Sequence, residues 1–539
     1  MSALIRLLVA SFGVIALTGC NDVEQNRDIR QQGFVYCGQG NPTTFNPQLT
    51  DGGITVETLG AQIFDRLLEL DPVSHQPMPN LAKGWSVNEE GTVYSFTLRK
   101  GVEFQKTQWF TPTRTLNADD VVFSFERLIN PDNAYYHVGN TRYPWFESID
   151  FKGSVAEIKA ISSHEIEFHL TRPDNTFLSN IATGYAVIHS KEYAQNLIAA
   201  DRKNFLDSHP VGTGAFYLEE YQSGDLIRLK RHLSYWRGMP PMEQIVFDIS
   251  SRGTGTLAKF LSGECDVLSA PVASQLPAIT KERKFNLEAQ TAMNVAFIAL
   301  DTNHKALKDP RVRKALNLAI NRENILNSVY YGTGTQARTI LPPSSWAYQQ
   351  DSIQIRYDMK LARALLAEAG YESGLSLTMW VPLESRPYNP SPRKAAELIQ
   401  ADFADVGIEL ELVTQDRFER THLSDENRSD LILTGWIADN GDPDNFLRPL
   451  LSCNAKQAGL NVAMWCNPDF DTLLDLARET NQLRHRLNLY HQAQNVLNEL
   501  MPIIPIAHGI QYQASHQSLQ GFQMSPFGTR SFSQVYRSE

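Results

Sequence analysis

Arg386 and Asp439 are the side chains whose type and placement most suit the binding of a small charged ligand. Arg386 follows Leu375 to Val381, which reads as a strand, and precedes a helix opened by Ser391-Pro392. Asp439 follows a second strand, Asp430 to Trp436, within Gly435-Trp436-Ile437-Ala438-Asp439-Asn440-Gly441-Asp442-Pro443. In an open parallel sheet, ligands bind beyond the carboxyl ends of the strands. Both residues sit at such ends and carry opposite charges. A guanidinium holds a carboxylate with two prongs, and a carboxylate accepts from an ammonium, so the pair suits a zwitterion. A surface arginine and an aspartate in an Asx-turn before Pro443 would look the same. Spacing alone favours that plainer account.

Signatures of catalysis or metal binding fail on geometry. His164-Glu165…His169 is one residue too long for a metalloprotease pair, and its strand period sends the two imidazoles to opposite faces. Gly212-Thr213-Gly214, Gly253-Thr254-Gly255 and Gly332-Thr333-Gly334 are isolated GxG turns without a phosphate-binding continuation, and no GxSxG elbow is present. The reading is therefore no enzyme, no cofactor and no metal.

The N-terminus reads as an export segment. Arg6 precedes the apolar run Leu7 to Leu17, about eleven residues and too short to span a bilayer. Leu17-Thr18-Gly19-Cys20 resembles a bacterial lipobox, which makes Cys20 a lipidation site, residues 1–19 a signal peptide and 20–32 a tether. An ordinary cleaved signal with an incidental cysteine is the alternative. Export fits the remaining cysteines. Cys453 and Cys466 are near enough in sequence to close a local loop, which leaves Cys37 for Cys265. Zinc would need ligand spacing that no CxxC or His pair supplies.

The elements that position Arg386 and Asp439 have clear punctuation. The helix opened by Ser391-Pro392 turns Ala395, Leu398, Ile399 and Phe403 to one face, and Gly407 stops it before a strand from Ile408 to Val413. Residues 375–413 thus form a strand–helix–strand unit of a parallel sheet. Asp309-Pro310 starts an earlier helix, Asn467-Pro468 and Arg484 two later ones, and Pro502 to Ala507 returns as a strand. Before residue 290 the chain is mostly strand-like, as at Tyr94 to Arg99 and His164 to Leu170, with a helix start at Asn117. The fold class is α/β in at least two lobes.

Composition bounds the rest. At about 150 residues per domain, 539 residues allow three or four units. With 42% apolar and 20% charged residues, neither wholesale disorder nor a fibrous repeat fits. A net charge of −11 argues against a general phosphate-backbone binder, so no nucleic-acid partner is expected.

Over nearly its whole mature length the chain resembles the family 5 extracellular solute-binding proteins of bacterial ABC importers. The resemblance rests on Leu81-Ala82-Lys83-Gly84-Trp85 through Tyr94 to Val102, on Asn117 to Phe123, on Val211-Gly212-Thr213-Gly214, on Asp309 to Arg313, and on Gly435-Trp436 through Asp442 to Phe446. Phe104 to Arg114 and Gly263 to Leu268 are similar to the SapA-type peptide-transport branch. Arg386-Pro387-Tyr388-Asn389-Pro390 and Asp439 to Pro443 also resemble the dipeptide-binding branch, and the two cysteine pairs agree with it. The lipobox departs from the plain signal usual in the SapA-type branch.

What the resemblance implies is a two-lobed, periplasmic-binding-protein-like fold (type II-like, peptide-binding class) with an extra small domain. One lobe would hold 33–75, 190–290 and 508–539, the small domain 76–189, and the second lobe 291–507. Arg386 would hold a peptide carboxylate and Asp439 its α-amino group. Trp380, Trp436 and Tyr388 would line the pocket, and the backbone around Gly214 and Asn294 would pair with an extended peptide as an added strand. The implied partners are a peptide, possible antimicrobial peptides included, an inner-membrane ABC permease and a membrane reached through the lipid anchor, with the protein a monomer in the periplasm. A haem or other non-peptide carrier stays open, since haem can be held by ligands distant in sequence. A secreted hydrolase is a further alternative, against which the missing nucleophile–base pair counts.

Overall fold

A single fourteen-residue strand, Ile503–His516, joins the two halves of the molecule. Its first part pairs with Asn294–Leu300 and its last part with Phe285–Thr291 and Val267–Ser269, all antiparallel. Because both halves share this strand, they form one twelve-stranded sheet. The computed structural model describes residues 32–38, 40–138, 142–251, 253–349, 356–415, 428–528 and 530–538. The signal peptide, Cys20 and all of the tether except Gln32 lie outside the described residues. No helix among the described residues is long and apolar enough to cross a membrane.

The strand–helix–strand unit forms as the sequence predicts. Leu375–Pro382 runs parallel to Ile408–Gln415, in register from Leu375 opposite Ile408, and parallel to Leu431–Ile437 through Met379 and Trp380. Helix Pro392–Ala404 crosses between the first two and buries Ala395, Ala396, Ile399 and Phe403 against them. Burying a side chain of that size contributes about 1.5–3 kcal/mol, which outweighs modest helix propensity. Asp309 caps Pro310–Ala319 by accepting from the Arg311 N–H at 2.8 Å. The last strand is longer than expected, running on past Ala507 to His516.

On the other half, Gly33–Cys37 lies parallel between Gln244–Asp248 and Val267–Ser269. Cys37 is bonded to Cys265 across 228 residues, and Cys453 to Cys466 across 13. A separate four-stranded antiparallel sheet (Ala82–Val87, Val93–Leu98, Glu165–Leu170, Val155–Ser162) carries helix Ala118–Ile129. Its apolar core runs without a break into helices Asp444–Leu451, Pro468–Glu479 and Leu483–Leu500. Fully buried Arg478 reaches across that junction to Asp174 at 3.5 Å. These contacts tie the four-stranded sheet to those helices.

Candidate functional site

Arg386 and Asp439 leave neighbouring parallel strands on the same side. The Arg386 loop is a tight turn in which Arg386 and Asn389 exchange both backbone hydrogen bonds, at 3.0 and 2.9 Å. Two glycines let it press onto the sheet. A Cβ on Gly435 would lie 2.3 Å from the Tyr388 ring and 2.5 Å from the Val295 carbonyl, and one on Gly509 would lie 2.0 Å from the Pro387 carbonyl. The Tyr330 hydroxyl donates to the Tyr388 carbonyl at 2.5 Å, which fixes the turn from its other side.

Arg386 faces acids. Its Nη1 is 3.8 Å from Glu57 and its Nη2 3.3 Å from Glu384. Burial by itself lowers its pKa, but Glu57, Tyr388, Glu384 and Asp51 overcome that and hold it above the ordinary value. The guanidinium stays charged. A hollow of only about 20 Å³ remains beside it, lined in part by Val272, Thr333, Ser385 and Tyr512. That is room for a water, not for a peptide.

Asp439 is held by Asn445, whose Oδ1 accepts from the Asp439 N–H at 2.9 Å and from Trp436 Nε1 at 3.2 Å. The Asn445 amide reaches the Asp439 carboxylate at 3.5 Å. Burial pushes the Asp439 pKa up to about 7; contacts from Asn445, Trp145 and Tyr185 oppose the rise, and the charge of Glu57 adds to it. Trp145 Nε1 makes no hydrogen bond of ordinary geometry, so its opposition is weak. Its ring stacks on Tyr185 at 4.7 Å. Among the described residues no cation pairs with Asp439. Burial therefore disfavours its charged form near neutral pH.

Glu57 links the two ends. A Cβ on Gly528 would touch Glu57 Cγ at 3.5 Å and Ile437 at 3.7 Å, and Ile437 is two residues before Asp439. Glu57 and Asp51 also act on Tyr185, which faces Asp439, and on Tyr388, which sits beside Arg386. Sequence reasoning did not single out Glu57, Tyr185, Trp145 or Asn445. Only Asn445 lay in a motif already of interest.

The other expected residues fall into two groups. Trp436 and Tyr388 lie beside Asp439 and Arg386 through the contacts just described, while Trp380 packs against the large core. Gly214 and Asn294, expected to offer backbone groups to an added strand, make hydrogen bonds within the fold in this structure. The Gly214 N–H donates to Ile63 at 3.0 Å, and its carbonyl accepts from Gln105 and His232. The Asn294 amide exchanges hydrogen bonds with the Gly509 backbone at 2.8 and 3.1 Å, and the Met293 N–H donates to Pro526. The metal-like cluster Cys37, Asp248 and Cys265 has both sulfurs in a disulfide.

Residues 76–458 match the family model described as bacterial extracellular solute-binding proteins, family 5 Middle. The chain is 45% identical to the peptide transport periplasmic protein SapA of Salmonella typhimurium, over 99% of this chain and 98% of that one. It is 37% identical to the dipeptide-binding protein of Escherichia coli, over 94% and 95%. Its structure is similar to that of a Pseudoalteromonas dipeptide-binding protein in complex with Met-Leu, with a TM-score of 0.91 and 41% identity over 94% of this chain and 100% of that one.

Proposed function

This chain belongs to the bacterial extracellular solute-binding proteins of family 5, and on that premise we propose that it captures short peptides in the periplasm and delivers them to an inner-membrane ABC permease, without converting them. One observation carries the reading. A half-buried, charged guanidinium and a half-buried carboxylate stand off neighbouring strands, and the charge of Glu57 acts on both. A peptide's ammonium supplies a cation for Asp439, and its carboxylate takes Arg386 in place of, or beside, Glu57 and Glu384, each as a charge-assisted hydrogen bond. The relatives named for dipeptides, and the similar structure holding Met-Leu, support a ligand of that size.

On this reading the halves part to admit a peptide, in keeping with a hollow of only about 20 Å³ beside Arg386. The two chain crossings, at 292–293 and at 507–510, are the hinge between 33–75, 190–290 and 508–539 on one side and 291–507 on the other, with 76–189 closing over Asp439 through Trp145 and Tyr185. The protein acts as a monomer held to the membrane through Cys20. Titration calorimetry with free, N-acetylated and C-amidated dipeptides tests the site. Asp439→Asn should weaken free peptides by about 2–5 kcal/mol, the cost of leaving one charge unpaired, and hardly affect acetylated ones. Equal losses for free and blocked peptides would overturn the assignment.

A further inference from the structure

The signature stretches at 81–85 and 94–102 take no part in the clamp, yet they bring three basic side chains to one place. Lys83, Arg99 and Lys100 lie at one end of the antiparallel pair Ala82–Val87 and Val93–Leu98, where Ala82 is opposite Leu98. With Trp236 they line a hollow of about 460 Å³ on the surface. Arg99 and Arg237 each lie over the Trp236 ring, at 4.8 and 4.6 Å, and Trp236 Nε1 donates to buried Asp65. Arg237 pairs with Glu69, but Lys83 and Lys100 have no ion pair among the described residues. This is a cationic hollow with an aromatic floor on a chain whose net charge is −11.

The loop that supplies Trp236 also exposes apolar side chains. Leu233 is 68% and Met239 57% exposed, three residues to either side of Trp236. At the foot of this loop the Glu243 N–H donates to the Gln32 carbonyl, and Gly33 pairs with Gln244. The chain before residue 32 therefore enters the fold beside the loop, at most about 25 Å from Trp236 at full extension. A surface that joins lysines, a tryptophan and exposed aliphatic residues matches the interface of an anionic bilayer, whose phosphates attract the cations while the apolar groups enter the headgroup boundary. Glu69 and Glu243 are tied up in pairs with Arg237 and Arg231, so that Lys83, Arg99 and Lys100 stand against exposed Glu103 beside His232 and keep a net positive charge.

We infer that the Lys83–Arg99–Lys100–Trp236 hollow and the 232–243 loop dock this protein on anionic phospholipid headgroups. The inference goes beyond the peptide reading and does not rest on it. Docking would confine the receptor to the plane in which a permease lies.

The test uses the full chain carrying Cys20→Ser, so that an acyl anchor adds nothing, in flotation with protein-free vesicles of phosphatidylglycerol and phosphatidylethanolamine. Wild-type surface residues should give binding that 0.5 M salt abolishes and that pure phosphatidylcholine vesicles do not support. A lysine at an anionic surface contributes about fivefold in partition, so Lys83→Ala with Lys100→Ala should lower binding about 25-fold. Leu233→Ser should lower it further, and peptide calorimetry of the same variants should be unchanged, which shows that they fold. No flotation, equal binding to phosphatidylcholine, or an unaffected double variant would overturn the docking. Binding only to vesicles that contain membrane proteins would overturn it in favour of a protein partner.

Discussion

Closing the cleft without a ligand should be penalised by Asp439, and acid should remove the penalty. In the closed structure burial lifts the Asp439 pKa from an ordinary 3.8 to about 7. A shift of that size means that the ionised carboxylate is disfavoured by about 4 kcal/mol relative to its solvated form. If parting of the halves returns Asp439 to water, the closed form takes up a proton that the parted form lacks. The sign follows from linkage: a carboxyl with a raised pKa stabilises its state below the ordinary pKa and loses that contribution as pH rises through the raised one. Between pH 8 and pH 5.5 the ratio of closed to parted ligand-free protein should rise about thirtyfold, or about 2 kcal/mol. A peptide ammonium replaces the proton, so the liganded form should stay closed at both pH values. Small-angle scattering reads the change as a fall in radius of gyration on acidification, seen only without peptide. Asp439→Asn should be compact at either pH. A ligand-free radius that does not move between pH 8 and 5.5, or an asparagine variant that behaves like the wild type, would refute the reasoning.

Three further substitutions or treatments probe the supports of the clamp. Asp442→Asn leaves Arg486, now 2.6 Å from Asp442, charged and buried without its partner, and should cost about 3–5 kcal/mol in urea unfolding. Gly435→Ala places a methyl against the Tyr388 ring and the Val295 carbonyl; it should cost about 1–3 kcal/mol or more in the same assay and weaken peptide binding by moving the Arg386 turn. Reduction of Cys37–Cys265 releases a loop of 228 residues, for which chain entropy allows about 5 kcal/mol at most, and unreduced peptide mapping should recover this pair and Cys453–Cys466.

The elements around Arg386 and Asp439 were legible because each carries its own local signals. Proline at the first position of Pro392–Ala404, glycine at 407 and the apolar strands on either side fix that unit without reference to distant residues. The long hinge strand was half hidden for the opposite reason. After Ala507 its buried positions are taken by His508, Gln511, Gln513 and Ser515, a pattern that reads as loop. The strand tolerates those residues because its backbone is paired by segments distant in sequence: His508 opposite Thr335, Gln511 opposite Gln290, and Gln513 and Ser515 on both sides. Glu57 was hidden more completely. It sits in Thr55–Leu59, far from either strand end in sequence, and gains meaning only where the fold sets it 3.8 Å from Arg386. The charge of Arg386 therefore has a local origin and its surroundings a non-local one. An arginine after a strand is ordinary, whereas this half-buried one is set among Glu57, Glu384 and Asp51, whose charges outweigh the desolvation of its guanidinium. A peptide carboxylate entering the cleft must displace or share that acidic company. Glu57 also raises the pKa of Asp439, so its charge bears on both residues of the proposed clamp.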